Sequence, residues 1–276
     1  MKTLSVVLLL ALASAASAQE AMYTAAATMP SPGVSVVRPQ FNYLKFGTNP
    51  EDGTQSTDRY QLVTSFQTGI ARAWSLTIDF GAAFEDSENA AGNNHLDKGI
   101  EDIDLYLKYR FYKNDTGGID TIRAAVMFGA EFPSGDDADF SSDSVDPHAG
   151  VVLTMVRGRH GFNQEIDFRL NTNGAGVDNN GGGEGPSDAL RFNSAYLYRI
   201  IPDRFTSTST GAWYITAEMN GIYETNGDTE LRWSPGLMYE GTEFAFELMA
   251  QFPLYKDLHH RAELDLAIGV GIRLTF

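Results

Sequence analysis

The last fourteen residues of the chain alternate strictly between apolar side chains and polar or small ones. Every even position from Leu264 to Phe276 is apolar, and every odd position from Glu263 to Thr275 is charged, hydroxylated or small. Because successive side chains of a β-strand point to opposite faces, this segment predicts a strand with one apolar and one polar face. Such a strand at a free edge promotes aggregation of a soluble sandwich, whereas a barrel in a bilayer needs both faces.

The same alternation recurs along the whole chain and predicts twelve strands. Pro235 falls inside one of them and, because it lacks an N–H group, is expected to interrupt the ladder as a bulge. An even number of strands brings both termini to one side of a membrane, and the links alternate between mostly long and mostly short. The long links are expected at residues 47–57, 86–99, 133–146 and 171–188. The predicted strands cover residues 34–46, 60–70, 74–85, 101–112, 122–132, 148–156, 162–170, 190–200, 213–223, 230–239, 243–252 and about 260–276.

The predicted fold class follows from these strands. It is all-β, a twelve-stranded antiparallel transmembrane β-barrel of the bacterial outer-membrane type. A soluble secreted sandwich is the alternative, but it would have to bury the charged side chains of the inward face.

Residues 1–18 have the features of a secretory signal peptide. Lys2 precedes an apolar run over residues 4–12, and the small residues Ala16 and Ala18 form a cleavage site, with Gln19 as the new N terminus. An uncleaved anchor is the alternative, but the run is shorter than the about 20 residues that a spanning helix needs. We therefore expect a signal peptide over residues 1–18 and a barrel over residues 19–276.

Composition removes several classes of function. The chain has no cysteine, which excludes disulfides, thiolate metal sites and a catalytic cysteine. Its formal charge of −16 disfavours nucleic acid as a partner. His259 and His260 are adjacent and so make a poor chelating pair, and the acidic segment 136–146 lacks the spacing of a calcium-binding loop. We expect neither a metal nor a cofactor.

The predicted inward face is densely charged. In a wet lumen these charges are solvated or paired across strands, and a few of them at a narrow point filter solutes. The alternative is that most of them simply pair and fill the barrel. The pore-lining candidates are Asp102, Asp104, Lys108, Arg110, Arg123, Glu165, Asp167, Arg169, Arg191, Glu247, Asp265 and Arg273.

Two short segments resemble a known family. Residues 99–111 read GIEDIDLYLKYRF and residues 128–136 read FGAEFPSGD. They are similar to the G-x-G-D-x-x-L-x-x-K-Y-R and G-x-x-x-P-T-G segments of the MetA-pathway of phenol degradation family. They depart from that pattern at Ile100 and Glu101, where a second glycine is usual, and at Ser134, where threonine is usual. The resemblance implies a barrel transporter of the outer membrane without catalytic residues.

These observations together predict a channel or transporter for small solutes, with aromatic or other small organic compounds as the candidate class. The expected partners are outer-membrane lipid, the barrel-assembly machinery and a small-molecule solute. The expected location is the outer membrane of a Gram-negative bacterium. The alternatives are a structural or adhesive barrel with a plugged lumen and, less favoured, a barrel lipase using His148 with Ser141, Ser142 or Ser144. We do not expect an enzyme.

The terminal aromatic residue resembles the C-terminal signature that the barrel-assembly machinery reads. Replacing Phe276 by Asp is therefore expected to reduce membrane insertion several-fold, whereas the neighbouring change Thr275→Ala has little effect. Heat-modifiable migration on a gel measures the folded fraction. Equal insertion of the two variants would show that the terminal residue carries no assembly signal.

Overall fold

The computed structural model describes residues 19–136, 140–172 and 187–276, and its strands close into one antiparallel barrel. No helix in these ranges is long and apolar enough to cross a membrane. Thirteen strand segments follow one another around the barrel. They are β1 (Ser35–Phe46), β2 (Ser56–Ala71), β3 (Trp74–Glu88), β4 (Asn94–Ile100), β5 (Ile103–Thr116), β6 (Asp120–Phe132), β7 (Asp146–Arg157), β8 (His160–Arg169), β9 (Ala189–Ile201), β10 (Gly211–Glu224), β11 (Thr229–Gly241), β12 (Phe244–Asp257) and β13 (Leu264–Thr275).

Two of these segments, β4 and β5, are halves of one barrel strand. Both pair with β3, since Ala82 lies opposite Ile100 and Asp79 lies opposite Asp104. Three steps along β3 therefore match four steps along its neighbour, which is the count of a β-bulge. The barrel accordingly has twelve strands around its wall, and the predicted fold class is confirmed.

The wall closes where the first strand meets the last. Pairing between β1 and β13 runs from Val36 opposite Thr275 to Phe46 opposite Leu264. The lower end of the barrel is defined here as the end where β1 begins and β13 ends, and the upper end is the opposite one. At the lower end, the backbones of Ser35 and Phe276 exchange two hydrogen bonds of 2.8 and 3.0 Å. The pairing of β2 with β3 completes the ring, and among the described strands only β4 has a strand partner on a single side.

The outer surface of the barrel is apolar, as the alternation predicts. Phe41, Leu62, Val151 and Ile215 are each about half exposed, and they lie on the same face as the other apolar positions of their strands. Leu264 is the exception in the last strand, because it is fully buried. The register of β1 against β13 shifts between Lys45 and Phe46, directly opposite this residue, and the shift interrupts the alternation there.

Aromatic rings gather at both ends of the strands. At the upper end, Tyr60 lies between Tyr43 and Phe84, with ring centroids 5.3 and 6.2 Å apart. At the lower end, Tyr239 lies between Trp213 and Phe244, with centroids 5.1 and 5.4 Å apart. Two aromatic belts that border an apolar band are typical of membrane barrels.

Two details of the predicted strands are wrong. Residues 86–99 were predicted as a loop, but β3 and β4 continue as a paired hairpin as far as Glu88 and Asn94. The bulge predicted at Pro235 is instead between Leu231 and Arg232. Pro235 stays in register opposite Ala217 of β10, and the ladder to β12 merely skips Ser234 and Pro235. The missing N–H group thus interrupts one side of the pairing without adding a residue.

The facing of the strands can be tested by single cysteines in this cysteine-free chain. Ile166 of β8 and Arg191 of β9 are neighbours on adjacent strands. Ile166 faces outward, whereas Arg191 lies on the lumen side of its strand, as Asn193 does two residues further along. Ile166→Cys is expected to react only with a membrane-soluble maleimide, and Arg191→Cys with a charged, water-soluble one. Mass spectrometry of the labelled protein in lipid vesicles measures this. Reversed reactivity would mean that the barrel is inside out.

Candidate functional site: the barrel lumen

The lumen contains a segment of the chain itself. Residues 19–33, here called the lumen loop, precede β1 and fold back into the barrel. Gln19 lies at the lower end beside Glu240, Thr24 reaches Glu218 in the middle of β10, and Pro32 bridges to Gly69 at the lower end of β2. The loop is therefore a hairpin that rises from the lower end to about the middle of the barrel and returns.

The composition of the lumen loop explains how it fits. Its buried positions are mostly alanine and threonine, and Ala26 and Ala27 are completely inaccessible to solvent. Pro32 and Gly33 turn the chain into β1, and Gly33 has a φ of 82°, which favours glycine. Small side chains let the backbone approach the wall closely enough to hydrogen-bond with it.

Glycines of the wall make room for the same loop. A Cβ atom on Gly69 would lie 2.3 Å from the carbonyl oxygen of Ser31, and one on Gly269 would lie 2.5 Å from the Tyr23 hydroxyl. Gly69 cannot carry a side chain while the loop is in place, because the clash is with backbone atoms, whereas at Gly269 the ends of the Tyr23 and Met22 side chains would have to shift. In β2, glycine is thus needed for the fit of the lumen loop.

Glu218 holds the apex of the lumen loop. Its carboxylate accepts hydrogen bonds from the backbone N–H groups of Met22 and Tyr23, at 3.0 and 3.2 Å, and from the Thr24 hydroxyl at 2.5 Å. Glu218 is fully buried. In the described part of the chain it forms no ion pair with a lysine, arginine or histidine. The lumen loop therefore supplies the contacts that compensate for burying this charge.

A carboxylate and an ammonium group of the wall both bind the returning leg of the lumen loop. Glu165 accepts a hydrogen bond from the N–H of Ala25 at 3.0 Å, and the Lys108 ammonium donates to the carbonyl of Ala26 at 2.7 Å. One step further, the N–H of Ala27 donates to Thr154 at 2.8 Å. Two of the pore-lining candidates, Glu165 and Lys108, are thus ligands of the loop.

A cluster of charged side chains joins the rising leg of the lumen loop to the wall. Arg38 donates to the carbonyl of Ala21 at 2.7 Å and to the Glu247 carboxylate at 2.8 Å. Arg273 contacts the other oxygen of Glu247 at 3.0 Å and lies 3.7 Å from the carboxylate of Glu20. Arg273 and Glu247 were predicted from the sequence, whereas Arg38 and Glu20 were not.

Two cavities lie beside the lumen loop. The one at the lower end has a volume of about 410 Å³ and is lined by residues that include Gln19, Glu240 and Arg273. The other lies in the lumen, has a volume of about 210 Å³ and is lined by residues that include Tyr23, Tyr106 and Arg273. Arg273 lines both cavities, so its ion pairs with Glu20 and Glu247 lie where the two approach each other.

Another ionic network occupies the upper half of the lumen. His148 contacts Asp104 at 2.9 Å and Asp167 at 3.4 Å. Arg169 contacts Asp104 at 3.0 Å and Glu131 at 2.6 Å. Three of the pore-lining candidates, Asp104, Asp167 and Arg169, are thus brought together.

Arg191 belongs to the same half of the lumen, because it lies opposite Asp167 in the pairing of β8 with β9. Its side chain is exposed, and it forms no ion pair with any other residue in the described ranges.

The remaining candidates lie away from the loop. Arg110 donates to the backbone carbonyl of Arg72 at 2.8 Å near the lower end, and Arg123 pairs with Asp115 at 3.2 Å. Asp265 is exposed near the upper end of β13.

Asp102 lies in the break between β4 and β5 and organises a loop outside the strands. Its carboxylate accepts backbone hydrogen bonds from Ser142 and Gly135, both at 2.8 Å, and from Ser134 at 2.9 Å. Asp102 therefore stabilises a loop rather than lining the central lumen.

The geometry for a lipase is not present where the sequence suggested it. Both ring nitrogens of His148 face carboxylates, and within the described ranges no serine hydrogen-bonds with this histidine. Ser142 instead contacts Asp102. Part of the acidic segment, Asp137 and Asp139, lies outside the described residues, and the described residues contain no group of three or more ligands placed to hold a metal.

Comparison with known proteins identifies the architecture. No protein-family model and no curated protein sequence matches the chain. Among solved structures, the COG4313 outer membrane channel from Pseudomonas putida F1 is similar over 94% of this chain and 99% of its own, with a TM-score of 0.61 and 10% identity. The fold is that of an outer-membrane β-barrel.

A second barrel shares this architecture. The β domain of the Bordetella autotransporter BrkA matches 88% of this chain and 99% of its own, with a TM-score of 0.50 and 10% identity. At such low identity both likenesses describe the fold alone. The resemblance to the phenol-degradation family therefore stays a prediction.

The contacts of Glu218 lead to a prediction about the lumen loop. Glu218→Ala removes hydrogen bonds to a charged group, which are worth about 1.5–3 kcal/mol each. Amide hydrogen exchange in residues 19–33 is therefore expected to accelerate at least about tenfold, as measured by mass spectrometry in micelles. Glu224→Ala is the control, because Glu224 pairs with Arg261 at the upper end, 2.7 Å away. Equal exchange in both variants would show that Glu218 does not hold the loop.

Proposed function

We propose that this protein is an outer-membrane channel or transporter for small solutes, and that the lumen loop sets the width of its path. The observation that carries the proposal is the pair of cavities on either side of the loop, with Arg273 lining both. The fold of the COG4313 outer membrane channel is similar. Twelve strands also enclose an interior between the filled eight-stranded barrels and the open sixteen-stranded porins.

The cavities limit what could pass. A volume of about 410 Å³ at the lower end is within the usual range for a small-molecule site, and the cavity of about 210 Å³ in the lumen is smaller. A solute larger than this would have to displace the lumen loop. We therefore expect small molecules or ions as cargo, and no polymers.

The chemistry of the inner cavity is compatible with small organic compounds. Its lining combines the aromatic rings of Tyr23 and Tyr106 with polar and charged side chains that include Gln67, Arg38 and Asp79. Rings bind apolar faces, while the amide and the charged groups bind polar substituents. This mixture supports, as part of the proposal, aromatic or other small organic solutes that carry polar groups.

The proposal includes the place of action. A signal peptide over residues 1–18 would direct the chain out of the cytoplasm, and the barrel-assembly machinery would insert it into the outer membrane of a Gram-negative bacterium. The apolar outer surface and the two aromatic belts support contact with outer-membrane lipid.

A structural or adhesive barrel with a plugged lumen is the second candidate. The dense hydrogen bonding of the lumen loop favours it, since Glu218, Glu165 and Lys108 all bind backbone groups of the loop. In this case the loop would be a permanent part of the core. The cavities beside it would then be closed spaces without a through path.

Conductance in planar bilayers distinguishes the two candidates. For a channel, the purified wild-type protein gives small stepwise currents, and Glu218→Ala gives larger ones because the loop no longer holds its position. The control variant Glu224→Ala gives wild-type currents. Silence of both the wild type and Glu218→Ala would favour the plugged barrel.

Charge between the cavities should set ion selectivity. Arg273→Gln removes a positive charge next to Glu20 and Glu247, so the local potential becomes more negative and reversal potentials shift toward cations. The shift is expected to weaken in about 1 M salt, where the Debye length is about 3 Å. Arg72→Gln is the matched control, because Arg72 is exposed in the turn between β2 and β3. Identical reversal potentials in both variants would place the selective point elsewhere.

A further inference from the structure

Gln19 is held at the lower end of the lumen by residues from separate wall strands. Its backbone nitrogen lies 3.3 Å from the Glu240 carboxylate of β11, and its carbonyl accepts a hydrogen bond of 2.8 Å from Asn163 of β8. The residue is 2% exposed. A Cβ atom on Gly161 would lie 2.2 Å from the side-chain oxygen of Gln19, so the glycine leaves room for this side chain in its present position.

The next residues continue this attachment. Arg273 lies close to Glu20, and Ala21 packs with Leu197, Tyr214 and Met238 in a buried apolar cluster. Gln19 is therefore placed by specific contacts rather than by the path of the chain alone.

Glu240 shares a cationic side chain with two other carboxylates. The charge of Arg273 acts on Glu240, but Arg273 already lies close to Glu20 and Glu247. The hydrogen-bond donor to Glu240 is the backbone nitrogen of Gln19. A partly buried carboxylate of this kind is stabilised by a nearby positive charge, and a charge-assisted hydrogen bond is about twice as strong as a neutral one.

We infer that Glu240 is the counter-ion of the α-ammonium group at the mature N terminus. The inference rests on the predicted removal of residues 1–18 and is independent of the channel proposal. Hydrolysis of the bond between Ala18 and Gln19 consumes one water, leaves a carboxylate on Ala18 and leaves an amine on Gln19, which takes up a proton. The amide nitrogen that contacts Glu240 thereby becomes an ammonium at the same position.

The position of the cut decides whether this ion pair forms. With residues 1–18 attached, Glu240 would receive a neutral N–H, whereas the cut chain offers it a cation, which strengthens the attachment of the rising leg. Cleavage one residue earlier or later would displace the ammonium by about 3.8 Å, the distance between neighbouring Cα atoms. The ion pair therefore requires a terminus at Gln19.

The first measurement is the intact mass of the protein purified from outer membranes. The expected mass is that of residues 19–276 with a free amine. A different first residue would overturn the inference. So would a mass lower by one ammonia, because cyclisation of a terminal glutamine consumes the amine and leaves no ammonium.

The second measurement is the reactivity of the α-amine with an acylating reagent at neutral pH, read from the N-terminal peptide by mass spectrometry. Glu240→Gln is expected to raise the acylation rate about tenfold, because the amine loses its ion pair and becomes accessible. Glu243→Gln, an exposed site in the neighbouring turn, should leave the rate unchanged. Glu240→Asp keeps the charge and should react more slowly than Glu240→Gln.

Both readings are taken on protein that shows wild-type heat-modifiable migration, so a folding defect is recognised separately. Equal acylation of the wild type and Glu240→Gln would show that Glu240 does not pair with the terminus. Equal acylation of Glu240→Asp and Glu240→Gln would show that shape, not charge, governs the contact. Either result overturns the inference, whatever the conductance of the barrel.

Discussion

The pairing of β1 with β13 is the constraint on which the rest of the molecule depends. A bilayer offers no hydrogen-bond partners, so an open edge would leave a row of backbone N–H and C=O groups unsatisfied in lipid. The register from Val36 to Phe46, completed by the two hydrogen bonds between Ser35 and Phe276, removes that edge. Closure also creates the lumen, and with it the only surroundings in which the charged inward faces are tolerable.

The lumen loop then uses those charges. Carboxylates that would be poorly compensated in a narrow barrel bind backbone N–H groups, as Glu218 does, and cations such as Arg38 and Lys108 bind backbone carbonyls. The loop and the wall are thus complementary, since each satisfies polar groups that the other buries. The same complementarity explains why a plug and an adjustable constriction are such close alternatives: they differ in how readily these contacts break.

Charged side chains at the lower end lie beside the lumen loop, the proposed solute path and Gln19. Arg273 touches both cavities and lies near Glu20, while Glu240 lies in the lower cavity beside Gln19. A change that loosens the rising leg would therefore alter both the anchoring of the terminus and the field between the cavities. The upper network around His148 is built from different residues and does not contact the loop in the described structure.

The sequence by itself determined the strands, their number and which face of each points outward. The reason is local: alternation with period two is a property of neighbouring residues, and it needs no knowledge of the partner strand. The same reasoning predicted a bulge at Pro235 and a loop at residues 86–99. Both predictions were wrong, because Pro235 stays in register with β10 and β4 pairs with β3. Only the tertiary structure decided which charges meet, because the contacts of Met22 with Glu218 and of Gln19 with Glu240 join residues 196 and 221 positions apart. Such contacts depend on strand register and on the lumen loop, whose alanines and threonines carry no periodic signal. The small size of these residues just before the first strand was the one sequence feature that fits a loop packed against the wall.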